Sequence, residues 1–403
     1  MTPPPAILVG ANMVTAMSVI RSLGGAGIDV RLLCRKGAAP TYSRYARRLP
    51  ADGPGPAGDA WLDYLLGPGS TGLRGAVLLA CNDDGIQFLL DHRDTLAADY
   101  VLDVCEPAAQ RAMLDKLATY RAAAGAGVPT PRFWAAESEE QLRAHQDEYV
   151  FPLMVKPLLA HAFKKVFSGK YFIVHDLEEL LATFRRSQAE QIDVVLLEVI
   201  PGPDDLLCSY YTYLDEAGDP LFHFTKRVIR RYPEREGFGC YHITDWNPEV
   251  RDVGLRLFQH VGLRGVANVE FKRDPRDGRL KLIECNARFT AANGLLVASG
   301  IDLGLFVYRR LAGLPQPALG DVRYTTGLRL WYPLDDFLAF LELRRQGRMT
   351  LGTWLKDVCH RQVLPYFSLS DPMPSLVRLK NMSRRLVAEG VHNVSRRWSD
   401  HGA

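Results

Sequence analysis

The stretch KLIECNARF, from Lys281 to Phe289, has the pattern of a β-strand that carries polar side chains on one face. Alternate side chains of a strand point to the same side of the sheet, so Glu284, Asn286 and Arg288 are predicted to share a face with Leu282. A carboxylate, an amide and a guanidinium in a row have two explanations. They form either the solvated face of a half-buried antiparallel strand or a ligand site.

The residues before this strand predict a β-hairpin. In GVANVEFKRDPRDGRLKLIECN, two β-rich runs flank a turn cluster. A three-residue loop from Arg276 to Gly278, with Gly278 in the left-handed conformation, places Glu270 directly across from Glu284. Directly opposed carboxylates repel each other and destabilise a hairpin. Their presence therefore favours the ligand site over the solvated face.

A divalent cation between the two carboxylates would remove this repulsion. Mg²⁺ takes oxygen ligands, usually one or two carboxylates together with substrate phosphates. Glu270, Glu284 and Asn286 are therefore predicted to hold Mg²⁺. Arg288 follows in the same row and suits a phosphate or a carboxylate, because its guanidinium can make two parallel hydrogen bonds.

Length and composition predict an ordinary soluble globular protein. The 403 residues suffice for two or three domains, and the chain is 47% hydrophobic and 24% charged. A net charge of +3 is too small to indicate nucleic acid. Basic residues gather near the C-terminus at helical spacing, which predicts a solvated face. These residues are Arg378, Lys380, Arg384, Arg385, Arg396 and Arg397.

Cysteine usage and hydropathy predict a cytoplasmic protein with no membrane partner. The seven cysteines are scattered and form no C-x-x-C pair, which is typical of a reducing compartment and speaks against disulfides or a zinc site. The start of the chain has no basic leader, and no apolar run approaches the roughly 18 residues of a membrane span.

The N-terminal segment AILVGANMVTAMSVIRSLGGAGIDVRLLCR predicts a βαβ unit. It does not match the dinucleotide motif G-x-G-x-x-G, because Asn12 and Thr15 replace the second and third glycines. A later strand ends at Asn82 to Asp84, where open α/β sheets bind ligands. These residues have two explanations, a ligand-binding edge or the cap of the next helix.

The predicted magnesium site implies a nucleotide, and two lysines are candidates for binding its phosphates. The sequence has no G-x-x-x-x-G-K-[ST] motif, so the phosphates must be held by side chains. Lys156 lies in the apolar strand LMVKP, where a lysine is costly unless it has a partner. Lys116, in LDKLATY, either binds a phosphate or is an exposed residue of a surface helix.

Together these segments resemble the ATP-grasp superfamily, ligases that activate a carboxylate as an acyl phosphate. The resemblance covers about residues 113–315 and follows the family order: LDK before GAGVPTP, then VKP, LLEVIPGPD and E…ECNAR. It implies an α/β (α+β ATP-grasp) fold. The implied domains are a Rossmann-like pre-ATP-grasp domain at 1–112, a two-lobed ATP-grasp domain at 113–315 and a mostly helical C-terminal extension at 316–403.

The resemblance also implies roles for the nucleotide-binding residues. Lys116 and Lys156 would contact the α and β phosphates of ATP. In LLEVIPGPD, the backbone carbonyl of Glu198 and the amide of Ile200 would read the adenine edge. Asp204 would bind the ribose hydroxyls.

The resemblance also implies roles in binding the metal ions and in the reaction itself. Glu270 and Glu284 would bridge Mg²⁺ ions, with Asn286 on one of them and Mn²⁺ as a substitute metal. Arg288 would hold the acyl phosphate or the substrate carboxylate. Lys226, in FTKRVIRRYP, would be a further phosphate contact, or alternatively part of a basic exposed strand.

Two segments depart from the family pattern. The phosphate-covering loop is usually rich in glycine, whereas AHAFKKVFSGK has only Gly169. Lys164, Lys165 and Lys170 would there substitute charge for backbone amides. Leu197 stands where many members carry Gln or Glu, which removes one side-chain contact to adenine.

The predicted function is that of an ATP-dependent carboxylate-amine ligase. It would couple a small-molecule carboxylate to an amine, amino acids or peptides in particular, and release ADP and phosphate. No nucleic acid partner is expected, and a homodimer is left open. The alternative is a catalytically idle nucleotide-binding regulatory or scaffold protein with the same fold.

Overall fold

The N-terminal domain is a parallel sheet covered by helices. The computed structural model describes residues 2–53, 57–158, 166–167, 171–235, 237–316 and 324–381. The strands of the first domain are β1 (Ala6–Val9), β2 (Val30–Leu33), β3 (Ala46–Arg48), β4 (Val77–Ala80) and β5 (Val101–Leu102), in the order β3-β2-β1-β4-β5. Its helices are α1 (Val14–Gly25), α2 (Ala57–Leu66), α3 (Asp83–Asp91), α4 (Arg93–Ala97) and α5 (Pro107–Leu114).

The sequence of this domain explains its topology. All four residues of β1 are fully buried, as expected of a central parallel strand with helices on both faces. Gly10 follows β1 with φ +73°, and an ideal Cβ there would lie 1.7 Å from Oδ1 of Asn82. Only glycine fits at this turn, because Asn82 at the end of the neighbouring strand fills the space.

A small antiparallel sheet forms the first lobe of the next domain. Its strands are β6 (Phe133–Ala136), β7 (Leu153–Pro157), β8 (Phe172–Val174) and β9 (Val194–Glu198), in the order β6-β9-β7-β8. The helices of this lobe are α7 (Glu139–Ala144) and α8 (Leu177–Ala189), and α6 (Lys116–Gly125) precedes the lobe in the chain and packs on the large sheet described next. One face of the small sheet packs on α7 and α8 through Leu142, Leu180 and Phe184.

A large sheet forms the second lobe. Its strands are β10 (Leu207–Leu214), β11 (Phe224–Tyr232), β12 (Phe238–Thr244), β13 (Gly265–Arg273), β14 (Leu280–Asn286), β15 (Arg329–Trp331) and β16 (Gln362–Val363), in the order β14-β13-β10-β11-β12-β15-β16. The accompanying helices are α9 (Pro248–Val261), α10 (Asn293–Ala298), α11 (Leu303–Leu311), α12 (Pro333–Arg345) and α13 (Leu351–Val358). Residues 373–381 form a further helix, which we call the C-terminal helix.

The two faces of the large sheet have different partners. On one face, Val269 and Phe271 join an apolar cluster with Phe258 of α9 and Tyr120 of α6. The other face packs partly against the N-terminal domain, in a core that includes Tyr213 of β10. The rest of this second face carries polar side chains. The α/β architecture agrees with the sequence prediction.

The C-terminal extension completes the large sheet with β15 and β16, whereas the sequence predicted a mostly helical extension there. A fully buried carboxylate joins the two parts. Asp336 of α12 accepts hydrogen bonds from Nε of Arg230 at 2.6 Å and from the indoles of Trp331 and Trp354, both at 2.9 Å. The extension is therefore a packing layer on the second lobe. The domain limits at 112 and 315 stay predictions.

No helix within the described ranges is long and apolar enough to span a bilayer.

Candidate nucleotide and metal site

The hairpin of β13 and β14 pairs Glu270 directly with Glu284, which confirms the predicted register. The loop differs from the prediction. The amide of Asp274 donates to the carbonyl of Arg279 at 2.9 Å, so the loop has four residues, and Gly278 has φ +70° as predicted. A β-bulge next to Glu270 shifts the register back by one residue. The longer loop and the bulge shift the strand pairing by one residue in opposite directions. Glu270 and Glu284 are therefore still directly paired.

The bulge changes which residues of β14 share a face. Leu282 is fully buried in the same apolar cluster as Cys285 and Ala287. The prediction that Leu282 lies beside Glu284 was wrong, because one extra residue in a strand reverses the alternation of the side chains before it.

A row of polar side chains crosses five strands of the large sheet. The strand pairings align Glu284, Glu270, Ser209, Lys226 and Thr244 directly across from one another. Residues paired in this way project from the same face. The row begins at an exposed carboxylate and ends at side chains that are almost fully buried. We call it the polar row.

Lys226 is buried in the polar row, so its interpretation as part of an exposed basic strand was wrong. Its side chain is 2% exposed, and its Nζ donates to Oγ of Ser209 at 3.0 Å. Burial lowers the pKa of Lys226 because it disfavours the ammonium, while the Glu270 carboxylate acts in the opposite direction. A buried cation in line with two carboxylates can neutralise an anionic ligand bound on this face.

His242 is a neighbour that the sequence did not indicate. Its Nδ1 lies 3.4 Å from Nζ of Lys226, and its Nε2 lies 2.7 Å from the carbonyl of Gly239. Burial first, and then the nearby Lys226 ammonium, hold the pKa of His242 well below its usual value. The imidazole therefore stays neutral and adds no charge to the row.

A pair of amides extends the site beyond the carboxylates. Asn286 faces Asn268 across the hairpin and donates to its Oδ1 at 3.1 Å, and Asn268 in turn donates to the carbonyl of Tyr210. Because Asn286 uses its nitrogen in this contact, its oxygen is the atom that a cation would take. Asn268 is fully buried and was missed, although it precedes Glu270 by two residues on the same strand face.

The donor set fits Mg²⁺ held together with phosphates. Among the described residues, no group of three or more His, Cys, Asp or Glu side chains could hold a metal ion. Glu270 and Glu284 supply two carboxylates, and Asn286 can add an amide oxygen. Mg²⁺ commonly binds one or two protein carboxylates and completes its shell with substrate phosphates and water.

A second lysine ties the loop after β9 to the same face of the large sheet. Lys272 follows Glu270 by two residues, is 6% exposed, and donates to the carbonyls of Ile200 and Gly202 at 3.1 and 2.8 Å. Burial lowers the pKa of Lys272 to about 8, with the Asp204 carboxylate opposing the shift. The sequence analysis missed Lys272, whose signal was its alternation with Glu270.

The segment predicted to bind adenine and ribose has an ordered set of ionic contacts. Glu198 ends β9, and its carboxylate meets Nη1 of Arg276 at 2.6 Å and the amide of Arg132 at 3.1 Å. Asp204 is 6% exposed and accepts from Nη2 of Arg231 at 2.8 Å and from the amide of Arg235 at 3.2 Å. A ribose would therefore bind beside an ion pair.

Lys116 and Lys156, the two lysines predicted to bind phosphates, both lie near the C-terminal end of β7. Lys116 begins α6, and its Nζ donates to the carbonyl of Leu158 at 3.4 Å, two residues beyond Lys156. Lys156 alternates with the buried core residues of β7, so it projects from the opposite face of the small sheet. One turn after Lys116, Tyr120 donates to the carbonyl of Ile283 at 2.8 Å. This contact places α6 against the bulge beside the carboxylates.

Arg288 connects the site to the N-terminal domain. Its Nε and Nη2 donate to the two oxygens of Asp83 at 2.5 and 3.2 Å. Asn82 caps α3, because its Oδ1 accepts from the amide of Gly85 at 2.8 Å. The helix-cap explanation of the segment 82–84 is therefore confirmed for Asn82, and a ligand-binding role for this edge stays a prediction.

A cavity of about 50 Å³ lies beside Arg288, with Leu78, Ile86, Ala287 and Phe289 among its lining residues. It is far smaller than the roughly 300–1,000 Å³ of typical ligand pockets. A nucleotide does not fit in this cavity. Of the predicted covering loop, Lys164, Lys165, Gly169 and Lys170 lie outside the described residues.

Comparisons with known proteins find ligases among the relatives of this chain. No family model matches the chain. D-aspartate ligase of Enterococcus faecium is 23% identical over 241 residues, which cover 57% of this chain and 57% of that protein. A D-alanine–D-alanine ligase of Stutzerimonas stutzeri is 28% identical over 180 residues, 43% of this chain and 54% of that protein. The chain thus spans little more than half the length of these two curated relatives.

Solved structures match over most of the chain. The biotin carboxylase domain of 2-oxoglutarate carboxylase from Hydrogenobacter thermophilus, in complex with ADP, has a TM-score of 0.62 at 18% identity and covers 81% of this chain and 73% of that chain. An L-amino acid ligase from Bacillus licheniformis has a TM-score of 0.60 at 16% identity and covers 82% of this chain and 79% of that chain. Together with the two-lobed architecture, these likenesses show that the chain has the ATP-grasp fold.

Proposed function

We propose that this protein is an ATP-dependent carboxylate-amine ligase that activates a carboxylate as an acyl phosphate and passes it to an amine. The observation that carries the proposal is the polar row, in which two directly opposed carboxylates and a buried lysine share one face of the large sheet. The ligase names of the curated relatives support it.

In this proposal ATP lies between the small sheet and the polar face of the large sheet. Lys116 and Lys156 bind phosphates that are already charged before the reaction. The carbonyl of Glu198 and the amide of Ile200 bind the adenine edge, and Asp204 binds the ribose beside its arginine partner. Lys272 fixes the backbone of this segment through two carbonyls, so that the adenine-binding groups are already in position when ATP arrives.

Glu270, Glu284 and Asn286 would hold Mg²⁺, for which Mn²⁺ could substitute. The metal, when bound, neutralises charge on the β and γ phosphates and so helps a nucleophile to approach phosphorus. Lys226 adds a positive charge on the same face. Because Lys226 is buried and hydrogen-bonded to Ser209, its ammonium is already oriented before the charge develops.

The reaction would proceed in two displacements. A carboxylate oxygen of the acid attacks the γ phosphorus, ADP leaves, and an acyl phosphate forms. The amine nitrogen then attacks the acyl carbon, loses a proton, and displaces inorganic phosphate. Arg288 is suited to the acyl phosphate, because its guanidinium can exchange Asp83 for two oxygens of the intermediate.

The substrates we propose are amino acids or short peptides, because the relatives are named for ligases of D-aspartate and D-alanine. We also propose a cytoplasmic location. The rival function, an idle nucleotide-binding scaffold, is disfavoured by the opposed carboxylates. They cost stability in the absence of a cation, and a protein released from chemistry need not keep them.

The test is release of ADP and phosphate from Mg²⁺-ATP in the presence of pairs of amino acids, including D-aspartate and D-alanine, with product masses measured in parallel. A ligase gives ADP only when both an acid and an amine are present, and the product mass is their sum less water. Saturable ATP binding without ADP release from any pair would support the scaffold instead.

A further inference from the structure

The C-terminal helix turns apolar side chains toward solvent. Three of them stand at intervals of three residues and lie on one side of the helix: Met373, Leu376 and Leu379, which are 48%, 55% and 60% exposed. On its inner side, Arg378 donates to Asp335 of α12 at 2.9 Å. A surface helix usually presents its polar face outward, so this orientation requires an explanation.

The segment before the helix extends the apolar side. Phe367 is 52% exposed and Leu369 is 87% exposed. We call these two residues, with Met373, Leu376 and Leu379, the C-terminal apolar surface. Scattered single apolar residues are normal on a protein surface, but five within 13 residues of sequence, three of them in one helical stripe, are typical of an interaction site.

The backbone beneath this surface is anchored to the N-terminal domain. Asp371 is 1% exposed and accepts from Nε of Arg21 at 3.1 Å, from Oγ of Ser43 at 2.9 Å and from the amide of Arg44 at 3.0 Å. Arg21 also donates to the carbonyl of Tyr366 at 2.6 Å. The apolar side chains are therefore presented from a fixed frame.

The exposed charges in the sequence that leads to this surface have one sign. Residues 344–381 contain two acidic side chains, and both are paired with arginines: Asp357 meets Arg230 at 2.5 Å, and the buried Asp371 meets Arg21. The exposed charged residues of this range are all basic. They are Arg344, Arg345, Arg348, Lys356, Arg361 and Lys380. Exposed apolar side chains and positive charge therefore occur together in this part of the chain.

We propose that the C-terminal apolar surface docks on the surface of an anionic lipid bilayer, with the leucines in the outer acyl region and the basic side chains among the headgroups. Apolar side chains flanked by Lys and Arg are the pattern of peripheral membrane binding. A second copy of the chain fits less well, because a two-fold contact would bring the same basic residues together from both subunits. The proposal is independent of the ligase function, and it departs from the expectation of no membrane partner.

The experiment is co-sedimentation of the full-length protein with vesicles of phosphatidylcholine alone and with vesicles that also contain phosphatidylglycerol. We expect binding only to the anionic vesicles, weakened as salt rises because the headgroup attraction is screened. The double variant Leu376→Ser/Leu379→Ser should bind at least about tenfold more weakly, since it withholds two leucines from the lipid. The matched control is Val150→Ser, a residue 59% exposed in the small lobe, which should bind as the wild type does.

A charge variant separates electrostatic from apolar attraction. Lys356→Gln/Arg361→Gln/Lys380→Gln should also lose about tenfold or more on anionic vesicles, because each basic residue near the surface contributes separately. Unchanged thermal melting and ATP turnover of both variants would show that they are folded.

Failure of the wild type to sediment with anionic vesicles at low salt would overturn the proposal. So would undiminished binding of the Leu376→Ser/Leu379→Ser variant. Light scattering provides the third outcome: a wild-type dimer that this variant converts to a monomer would assign the surface to a second copy of the chain. None of these outcomes bears on ligase activity, which is assayed without lipid.

Discussion

Replacing Glu284 by glutamine tests the metal hypothesis through both stability and turnover. The side chain keeps its shape but loses its charge, so repulsion with the directly paired Glu270 disappears. Glu284 is exposed, and two unit charges about 5 Å apart in water interact with about 0.8 kcal/mol. In a chain of 403 residues this gain raises the melting temperature by only about 1 °C. The metal-free variant should therefore be at least as stable as the wild type.

The response to Mg²⁺-ATP should change in the opposite direction. At a hundredfold excess over its Kd, a ligand adds about 2.7 kcal/mol, which corresponds to about 3 °C for the wild type. Glu284→Gln should lose this shift, and its turnover should fall at least about a hundredfold, because a charge that offsets the cation is missing. Asp277→Asn, in the loop of the same hairpin, is the control and should behave as the wild type. Differential scanning calorimetry and ADP release give both readouts. A variant that unfolds without metal, or that turns over ATP normally, would refute the metal role of Glu284.

Three further outcomes follow from the contacts. Lys156→Ala should weaken ATP binding in titration calorimetry, whereas Arg288→Ala should spare it and lower kcat, and equal losses of nucleotide affinity in both would contradict these roles. Lys272→Met should raise the KM for ATP at least about tenfold with a smaller effect on kcat, because two charged hydrogen bonds to the adenine-binding segment are lost, while Lys281→Met on the same hairpin should change the KM little. Asp336→Asn should lower the free energy of unfolding by about 3 kcal/mol in urea titrations, since it leaves a buried guanidinium without its full charge partner, and a loss below 1 kcal/mol would argue against that contact.

The hairpin shows how far local pattern can be trusted. The alternation in KLIECNARF and the turn cluster before it predicted that Glu270 pairs with Glu284, but through a three-residue loop and without a bulge. The structure has a four-residue loop and a bulge at β14, where Tyr120 of α6 contacts the carbonyl of Ile283. The predicted pairing is correct because the extra loop residue and the bulge shift the register in opposite directions.

Other members of the candidate site depend on contacts across the whole chain. Asn268 and Lys272 alternate with Glu270 on β13, a local signal that the sequence analysis missed. His242 carries no motif, and it joins the site only because β10 and β11 bring β12 and β13 into one sheet. The contact of Arg288 with Asp83 joins residues 205 positions apart in the sequence. A single sequence holds no information on such a pairing, since many distant acidic residues could satisfy the same arginine.

The sequence by itself determined the alternation of strands and helices and the residue types of the carboxylate and lysine candidates. These follow from periodicity and turn residues, which are local properties. The two-lobed fold with its N-terminal domain was implied by the resemblance to the ATP-grasp superfamily. Tertiary structure alone decided that Lys226 is buried and that the C-terminal extension completes the large sheet. It also decided that the leucines of the C-terminal helix face outward. Each of these features depends on which distant segments pack against each other and bury their surfaces from water. Such packing involves the whole chain and cannot be read from any one stretch of sequence.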